Sequence, residues 1–325
     1  MAIFDIGRPE VAISVTFDEL DLKIIHALQV DGRAPFSKIA GVLGLSDQTV
    51  ARRYASLRSA KKIRVTGRTD PARVGEVAWF VRVRCTPDAA RPIGEALARR
   101  PDTSWVKLTS GGTEIVAIVR APTSHDSETL LLGKLPRTPR VINVSAHCLL
   151  HVFFGGPQGY VHALSPEQVA QLESPRAAAG PQVDLDDTDK QLLALLERDG
   201  RTDVTALATA TGRPATTLRR RLADLRASGA LYFDVDFDYR SLGMAHQTML
   251  WLSVAPDQLV AAGQALAAHP EVPFTAATTG STNLFASVLC PDPSALYTYL
   301  TTKVATLPSV HDMETAPVIQ TLKNS

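Results

Sequence analysis

Two distant stretches of the chain carry the same pattern of apolar and polar positions. Ile24, Ile25 and Leu28 recur at helical spacing behind the acidic start Asp18-Glu19-Leu20-Asp21, and Leu192, Leu193, Leu195 and Leu196 do so behind Asp186-Asp187-Thr188-Asp189. Apolar residues at that spacing line one helical face, and acids suit the positive N-terminal end of a helix, so each stretch predicts a first helix. Asp31-Gly32-Arg33 and Asp199-Gly200-Arg201 break them, with glycine expected as a left-handed cap. Short second helices are predicted near 37–43 and 204–210, where the small Ala40 or Ala208 allows close approach of a crossing helix, and Gly44 or Gly212 ends each at a tight turn. Third helices follow, the first capped by Ser46, with Val50, Tyr54 and Leu57, or Leu218, Leu222 and Leu225, facing inward.

Beyond each third helix the period of the pattern falls to two. Over residues 77–86, Val77, Trp79, Val81 and Val83 take one side and Arg82 and Arg84 the other, which predicts a strand. An amphipathic helix then runs to about residue 100, where Pro101 stops it. Strands at 103–109 and 113–120 flank a Ser110-Gly111-Gly112 turn, a helix lies within 124–134, and a strand covers 140–153. The second copy repeats the order, with Asp292 as N-cap and Pro293 at the first position of its last helix. A βαββαβ order is the ferredoxin-like arrangement, which by itself implies no function.

The duplication is explicit at the residue level. At an offset of 168, Ala40, Gly44, Thr49, Arg52, Arg53, Leu57, Arg58 and Gly75 meet Ala208, Gly212, Thr217, Arg220, Arg221, Leu225, Arg226 and Gly243. Further on the offset becomes 169, pairing Leu97, Pro101, Gly111, Ala117, Val119 and Pro139 with Leu266, Pro270, Gly280, Ala286, Val288 and Pro308. A repeat of about 140 residues is too long for a solenoid and suits a small two-domain module. The fold class is therefore α+β: two tandem modules, each a winged-helix-like helix-turn-helix domain followed by a ferredoxin-like domain. The division is an N-terminal extension at 1–16, a first helix-turn-helix domain at 17–68, its companion domain at 69–154, a linker at 155–183, a second helix-turn-helix domain at 184–235 and its companion at 236–325. Within the linker, Ser165-Pro166-Glu167-Gln168 starts a short helix, and the stretch after Gln171 is expected to be flexible.

Composition changes this picture little. Hydrophobic residues make up 45% and charged residues 21% of the 325, as in a folded globular protein. Neither a basic, apolar leader nor a long apolar run occurs, so a cytoplasmic protein without membrane contact is expected. Cys85, Cys148 and Cys290 stand apart with no CxxC spacing, which indicates neither disulfides nor a thiolate metal site. Charge becomes informative once divided by segment. Residues 17–68 hold five acids against ten Lys or Arg, a net of +5, whereas residues 184–233 hold eight of each, a net of zero.

Short helices joined by a Gly-containing turn, the latter carrying outward Arg and amide groups, match a recognition helix that enters the major groove of double-stranded DNA. Ser46, Asp47, Gln48, Thr49, Arg52, Arg53 and Lys38 form this candidate surface in the first copy, and Thr216, Thr217, Arg219, Arg220 and Arg221 in the second. Gln48 suits adenine and Arg52 suits guanine or phosphate. The alternative is a three-helix bundle whose surface arginines are incidental. Both copies resemble the Lrp/AsnC (feast/famine) transcription regulators, whose modules show an acidic LDxxD-type start, a DGR turn, a "GLS" turn, a recognition helix ending in RR and a D-P-x-x-L-G hinge. The first copy has Gly44-Leu45-Ser46, Arg52-Arg53 and Asp70-Pro71-Ala72-Arg73-Val74-Gly75. The second keeps Gly212, Arg220-Arg221 and Leu242-Gly243 but has Arg213-Pro214 and Asp238-Tyr239 at the other two places.

That resemblance implies companion domains that pair sheet to sheet, build oligomers and bind amino acids or other small effectors near the loop between the central strands. The corresponding residues are Gly111, Gly112, Thr113 and Glu114, and Gly280, Ser281, Thr282 and Asn283; Glu114 suits an ammonium group. Two ordinary hairpin turns are the plainer alternative. The resemblance further implies an internal pseudo-dimer in one chain, an asymmetric operator and a further homo-oligomer, a dimer of fused pseudo-dimers. No HExxH, GxSxG, P-loop or GxGxxG is present, so no enzyme, cofactor or metal is expected. The enzymatic alternative is a sirohaem decarboxylase, a relative of the same fold that holds a tetrapyrrole with histidine and arginine. It generally works as paired single-module subunits, and no matching His–Arg pattern is apparent in the sequence. A third reading is an effector sensor or scaffold with degenerate heads.

Overall fold

A computed structural model describes residues 17–121, 129–153, 161–173 and 181–324. The N-terminal extension and the stretches at 122–128, 154–160 and 174–180 lie outside the described residues, and with them part of the expected 124–134 helix and most of the expected flexible linker.

Each head opens with a capping box. Asp18 accepts from the Asp21 amide and Asp21 from the Asp18 amide at the start of α1 (Glu19–Val30), and Asp186 and Asp189 do the same ahead of a later helix, α6 (Asp187–Arg198). Two donors of each helix end are thereby satisfied. Then come α2 (Phe36–Leu43) and α3 (Asp47–Ser59) in the first head, α7 (Val204–Thr211) and α8 (Ala215–Ala227) in the second. Gly44 and Gly212 end α2 and α7 at φ 67° and 65°, in the left-handed region that glycine tolerates. The Asp-Gly-Arg turns differ from expectation. Asp31 and Asp199 cap in extended conformation, and neither Gly32 nor Gly200 is left-handed. A Cβ on Gly32 would stand 2.7 Å from Phe233 Cβ, and one on Gly200 2.9 Å from Phe233 Cδ1. Glycine is required at Gly32 by close approach of Phe233 from the other half of the molecule and at Gly200 by Phe233 and the backbone at Thr66 and Gly67, a constraint invisible to local sequence reading.

The heads are completed by each other's modules. Strand β1 (Ile63–Thr69) buries Ile63 and Val65 in its own head but takes its strand partner from the other module, pairing antiparallel with β6 (Leu231–Phe237), with Thr66 opposite Asp234. Val235 and Phe237 of the second module join Ile24, Leu28, Val50 and Leu57 in the first head's core, and Val74 of the first module packs against the second head's core around Leu192, Leu196 and Leu225. The linker adds α5 (Pro166–Leu172), which buries Val169 and Leu172 in the first head. Its approach is fixed by His26 Nδ1, which accepts from the amides of Ala163 and Leu164.

The companion domains form one closed barrel. In the first, β2 (Val77–Cys85), β3 (Thr103–Thr109), β4 (Glu114–Ala121) and β5 (Val141–Phe153) lie in the order β3-β4-β2-β5, with α4 (Pro87–Ala98) outside. A single wide turn at Thr129–Lys134 stands where the second helix was expected. The other domain has β7 (His246–Val254), β8 (Phe274–Thr278), β9 (Leu284–Cys290) and β10 (Val310–Thr321) in the order β8-β9-β7-β10, with α9 (Leu259–Ala267) and α10 (Pro293–Thr302). The long strands close the barrel, β5 on β8 and β10 on β3. Alternation divides the side chains: Val81, Val83 and Ile115 pack under α4, and Leu250 and Leu252 under α9, whereas Phe80, Met249, Trp251 and Phe285 fill the interior. Phe80 and Trp251 lie 4.4 and 4.6 Å from Phe285, and Trp105 lies 5.2 Å from Phe274. Among the described residues no helix is long and apolar enough to cross a membrane.

Candidate nucleic-acid and effector sites

Burial of Val50, Tyr54 and Leu57 leaves Asp47, Gln48, Arg52 and Ala55 exposed along α3. Ser46 caps that helix, accepting from the Thr49 amide at 3.2 Å, and its Oγ lies 2.9 Å from Thr49 Oγ1. On α8, Thr216, Arg219 and Arg220 are exposed and Thr217 is half-buried. Among the described residues no hydrogen bond or ion pair holds Arg52, Arg219 or Arg220, so these guanidiniums are available to an incoming anion.

Three other residues expected on this surface are occupied inside the protein. Arg53 Nη1 lies 2.5 Å from Asp18 and 3.3 Å from Asp21, and Arg221 bonds the fully buried Asp189 through Nε at 2.8 Å and through Nη2. The hydrogen bonds to Asp18 and to Asp189 raise the pKa of Arg53 and Arg221 respectively. The second arginine of each Arg-Arg pair thus ties its recognition helix to the capping box of the first helix. Lys38 donates to the Leu172 carbonyl at 3.0 Å, capping the C-terminal end of α5. For these three the expected phosphate contact gives way to an internal one.

A second constellation lies in the barrel interior. The strand register sets Arg84 beside Glu114 and Asn143, Arg82 beside Ser145, Phe80 beside His147, and Trp251 beside Glu314. Glu114, 2% exposed, accepts from Arg82 Nε at 2.7 Å, Thr109 Oγ1 at 3.1 Å and Ser110 Oγ at 3.2 Å. These internal bonds occupy most of its acceptor capacity, yet Glu114 also lines two clefts beside Arg84. Arg82 also grips Glu314 with two bonds of 2.8 and 2.6 Å. Burial alone would lower the Arg82 pKa, but the bonds to Glu314 and Glu114 more than offset it and raise it; the same bond from Arg82 lowers that of Glu314.

Arg84, by contrast, comes no closer than 3.8 Å to Glu314. With His147, Asn143, Ser145, Ser281 and Thr282 it lines a cleft of ≈ 220 Å³. His147 Nδ1 lies 2.8 Å from the Thr279 carbonyl, so that nitrogen carries the proton. The effector-loop residues therefore divide. Ser281, Thr282 and Glu114 reach this cleft, and Glu114 and Thr113 line a neighbouring one of ≈ 370 Å³ together with Arg84 and Ile142. Gly111 and Gly112 have positive φ, with open space where a Cβ would be. Gly280 makes room for the His147 ring, and Asn283 clips the Val254 amide and carbonyl at 2.9 and 2.8 Å, both internal tasks. Sequence reading missed Arg82, Arg84, His147 and Glu314; the shared face of Arg82 and Arg84 on one strand was the available signal. Among the described residues no group of three or more His, Cys, Asp or Glu is placed to hold a metal ion.

Two helix-turn-helix heads joined by a strand ribbon, with two ferredoxin-like domains closed into one barrel, define a tandem double-module helix-turn-helix protein. Comparisons with known proteins agree. The AsnC-type helix-turn-helix domain matches residues 17–58 and again 185–226, and the Lrp/AsnC ligand binding domain matches residues 247–325. The HTH-type transcriptional regulator FL11 of Pyrococcus horikoshii is 31% identical over 126 residues, 38% of this chain and 83% of that protein. The HTH-type transcriptional regulator LrpA of Pyrococcus abyssi is 27% identical over 135 residues, 41% of this chain and 96% of that protein. The chain belongs to the Lrp/AsnC family. Among solved structures, the siroheme decarboxylase NirDL matches with a TM-score of 0.66 at 13% identity, over 94% of this chain and 93% of that one. That likeness is one of fold, and it shows the fused double module in a single decarboxylase chain, where paired single modules were expected.

Proposed function

We propose that this Lrp/AsnC-type regulator binds double-stranded DNA in a sequence-specific manner through both heads of one chain. The observation that carries the reading is the exposed outward face of each recognition helix, Asp47, Gln48 and Arg52 on one and Thr216, Arg219 and Arg220 on the other, with Ser46, Thr49 and Thr217 at its margins. The arginines supply phosphate contacts whose counterion release makes binding fall steeply with salt. Gln48, Asp47 and Thr216 supply discrimination, worth about 1–3 kcal/mol for each good base contact. Because the two faces differ, the operator is asymmetric. A small effector, an amino acid or another compound of that size, acts at the clefts of the barrel and shifts DNA affinity only by its differential affinity for two arrangements of the heads. Further association of chains through the companion domains completes the proposal.

Fluorescence anisotropy with DNA upstream of the protein's own gene and a scrambled duplex, over a salt series, tests this. Preference for the upstream DNA and a salt slope reduced in Arg52→Ala/Arg220→Ala support it. Equal, weak binding that the variant leaves unchanged counts against it.

A second reading, binding of a siroheme-like tetrapyrrole, is favoured by the full-length fold likeness and by the meeting of His147 with Arg84 in one cleft. Absorbance titration with siroheme separates the two: a saturable spectral shift abolished in His147→Ala supports it, and an unchanged spectrum removes it.

A further inference from the structure

The two Asp-Gly-Arg turns, 168 residues apart in sequence, grip each other. Arg33 donates to the carbonyls of Gly200 at 2.7 Å and Thr202 at 3.0 Å, and Arg201 donates to those of Gly32 at 2.8 Å and Ala34 at 3.0 Å. The last turn of each recognition helix is drawn into the same joint: Arg58 of α3 pairs with Asp199 at 2.5 Å, and Arg226 of α8 with Asp31 at 3.0 Å. Arg201 also stacks 4.4 Å from the centre of the Phe36 ring and 5.3 Å from that of Tyr54, the residue on which α3 rests. Burial, then the like charges of Arg201 and Arg226, lower the pKa of Arg33, and the Asp199 and Asp31 carboxylates oppose that shift. Apart from this joint the heads are linked by the ribbon of β1 and β6, whose apolar side chains also enter the cores of both heads.

We infer that Arg33 and Arg201 are positioning residues that fix the separation and angle of the two recognition helices, so that the chain reads two half-sites at one spacing. The consequence for DNA rests on the regulator reading above; the mechanical claim does not. A double-headed reader with rigid heads accepts only half-sites whose spacing matches the head separation.

The test uses the full chain with spin labels at Ala55→Cys and Ala223→Cys, exposed positions of α3 and α8, in a Cys148→Ser background. Pulsed dipolar spectroscopy should give one narrow distance distribution, at least about twofold broader in Arg33→Ala/Arg201→Ala, where the turns lose their bonds to each other's carbonyls and only the Arg58–Asp199 and Arg226–Asp31 pairs and the ribbon with its core side chains remain. Arg33→Lys/Arg201→Lys keeps the charge without the forked donors and should broaden it too, which guards against a truncated variant that fails to fold. Selection of binding sites from a random duplex pool should return one half-site spacing for wild type and several for the variants. Equal widths in all proteins overturn the clasp, and broadening with an unchanged single spacing overturns its link to site reading. If wild type enriches no sequence, the regulator reading falls with the spacing claim, while the distance distributions still decide the clasp.

Discussion

Arg82 lies 4.8 Å from the centre of the Trp251 ring, although the two occupy equivalent positions, 169 residues apart, in the duplicated sequence. In a symmetric pair of identical modules the same place would set like against like, two arginines or two tryptophans. Fusion into one chain frees the positions to differ, and the interior thereby gains a charged set, Glu114, Arg82 and Glu314, on one side only.

The buried part of this set should be costly to break and cheap to replace. Arg82→Met strips the 2%-exposed Glu114 of its countercharge and is expected to destabilise the protein by about 3–5 kcal/mol. Arg82→Met/Glu114→Gln should recover much of that loss, because no buried unpaired charge remains and the half-exposed Glu314 keeps Arg84 at 3.8 Å. Denaturant midpoints read with tryptophan fluorescence check both, and a double variant no more stable than Arg82→Met refutes the account.

Neighbouring arginines of α8 should separate structure from binding. Arg221→Ala leaves the fully buried Asp189 without its cation, with an expected loss of about 3–5 kcal/mol. Arg220→Ala touches no partner among the described residues and should leave the melting temperature within error while lowering the DNA salt slope by about 1. Thermal melts beside anisotropy titrations distinguish them; equal melting losses would show the assignment to be mistaken.

Much of this was legible in the sequence because it depends on local periodicity. The helical faces of Ile24 and Leu192, the Ser46 and Asp292 caps and the alternation at Val77–Cys85 each follow from rules that act over a few residues. What escaped acts over long separation. The turn glycines make room for Phe233 and strand β1 rather than forming a left-handed cap, Arg53 and Arg221 serve carboxylates 32 to 35 residues away, and Arg82 meets Glu314 across 232. No local signal separates such an arginine from the free Arg52.

Cross-completion of the cores makes a residue of one module a support of the other's head. Phe237 is 7% exposed and packs into the core of the first head. Phe237→Ala should cost about 3–5 kcal/mol, and the loss should fall on the first head. Hydrogen exchange is the measurement: amides of α1 and α3 should exchange faster, with α6 and α8 changed less. Acceleration confined to the second head would contradict the assignment of this core.

Lys107 makes stability depend on alkaline pH. It is 2% exposed, with its amine 3.0 Å from Thr321 Oγ1 and 5.3 Å from the centre of the Trp105 ring, and burial lowers its pKa to about 8 from 10.5. Between those values the unfolded chain holds the proton and the folded chain does not, so this group makes stability rise as pH increases from about 8 to 10.5. Below pH 8 the cost is fully present, about 3 kcal/mol at roughly 1.4 kcal/mol per unit. The Cys290 thiol, pushed by burial up to about 11, acts in the opposite sense above pH 9, so the comparison must be differential. Lys107→Met should exceed wild type in stability at pH 7 by up to about 3 kcal/mol, less the lost bond to Thr321. The gap should close by pH 10.5. Denaturation curves across this range measure it, and a gap that stays constant with pH would show that the amine is not titrating in the folded protein.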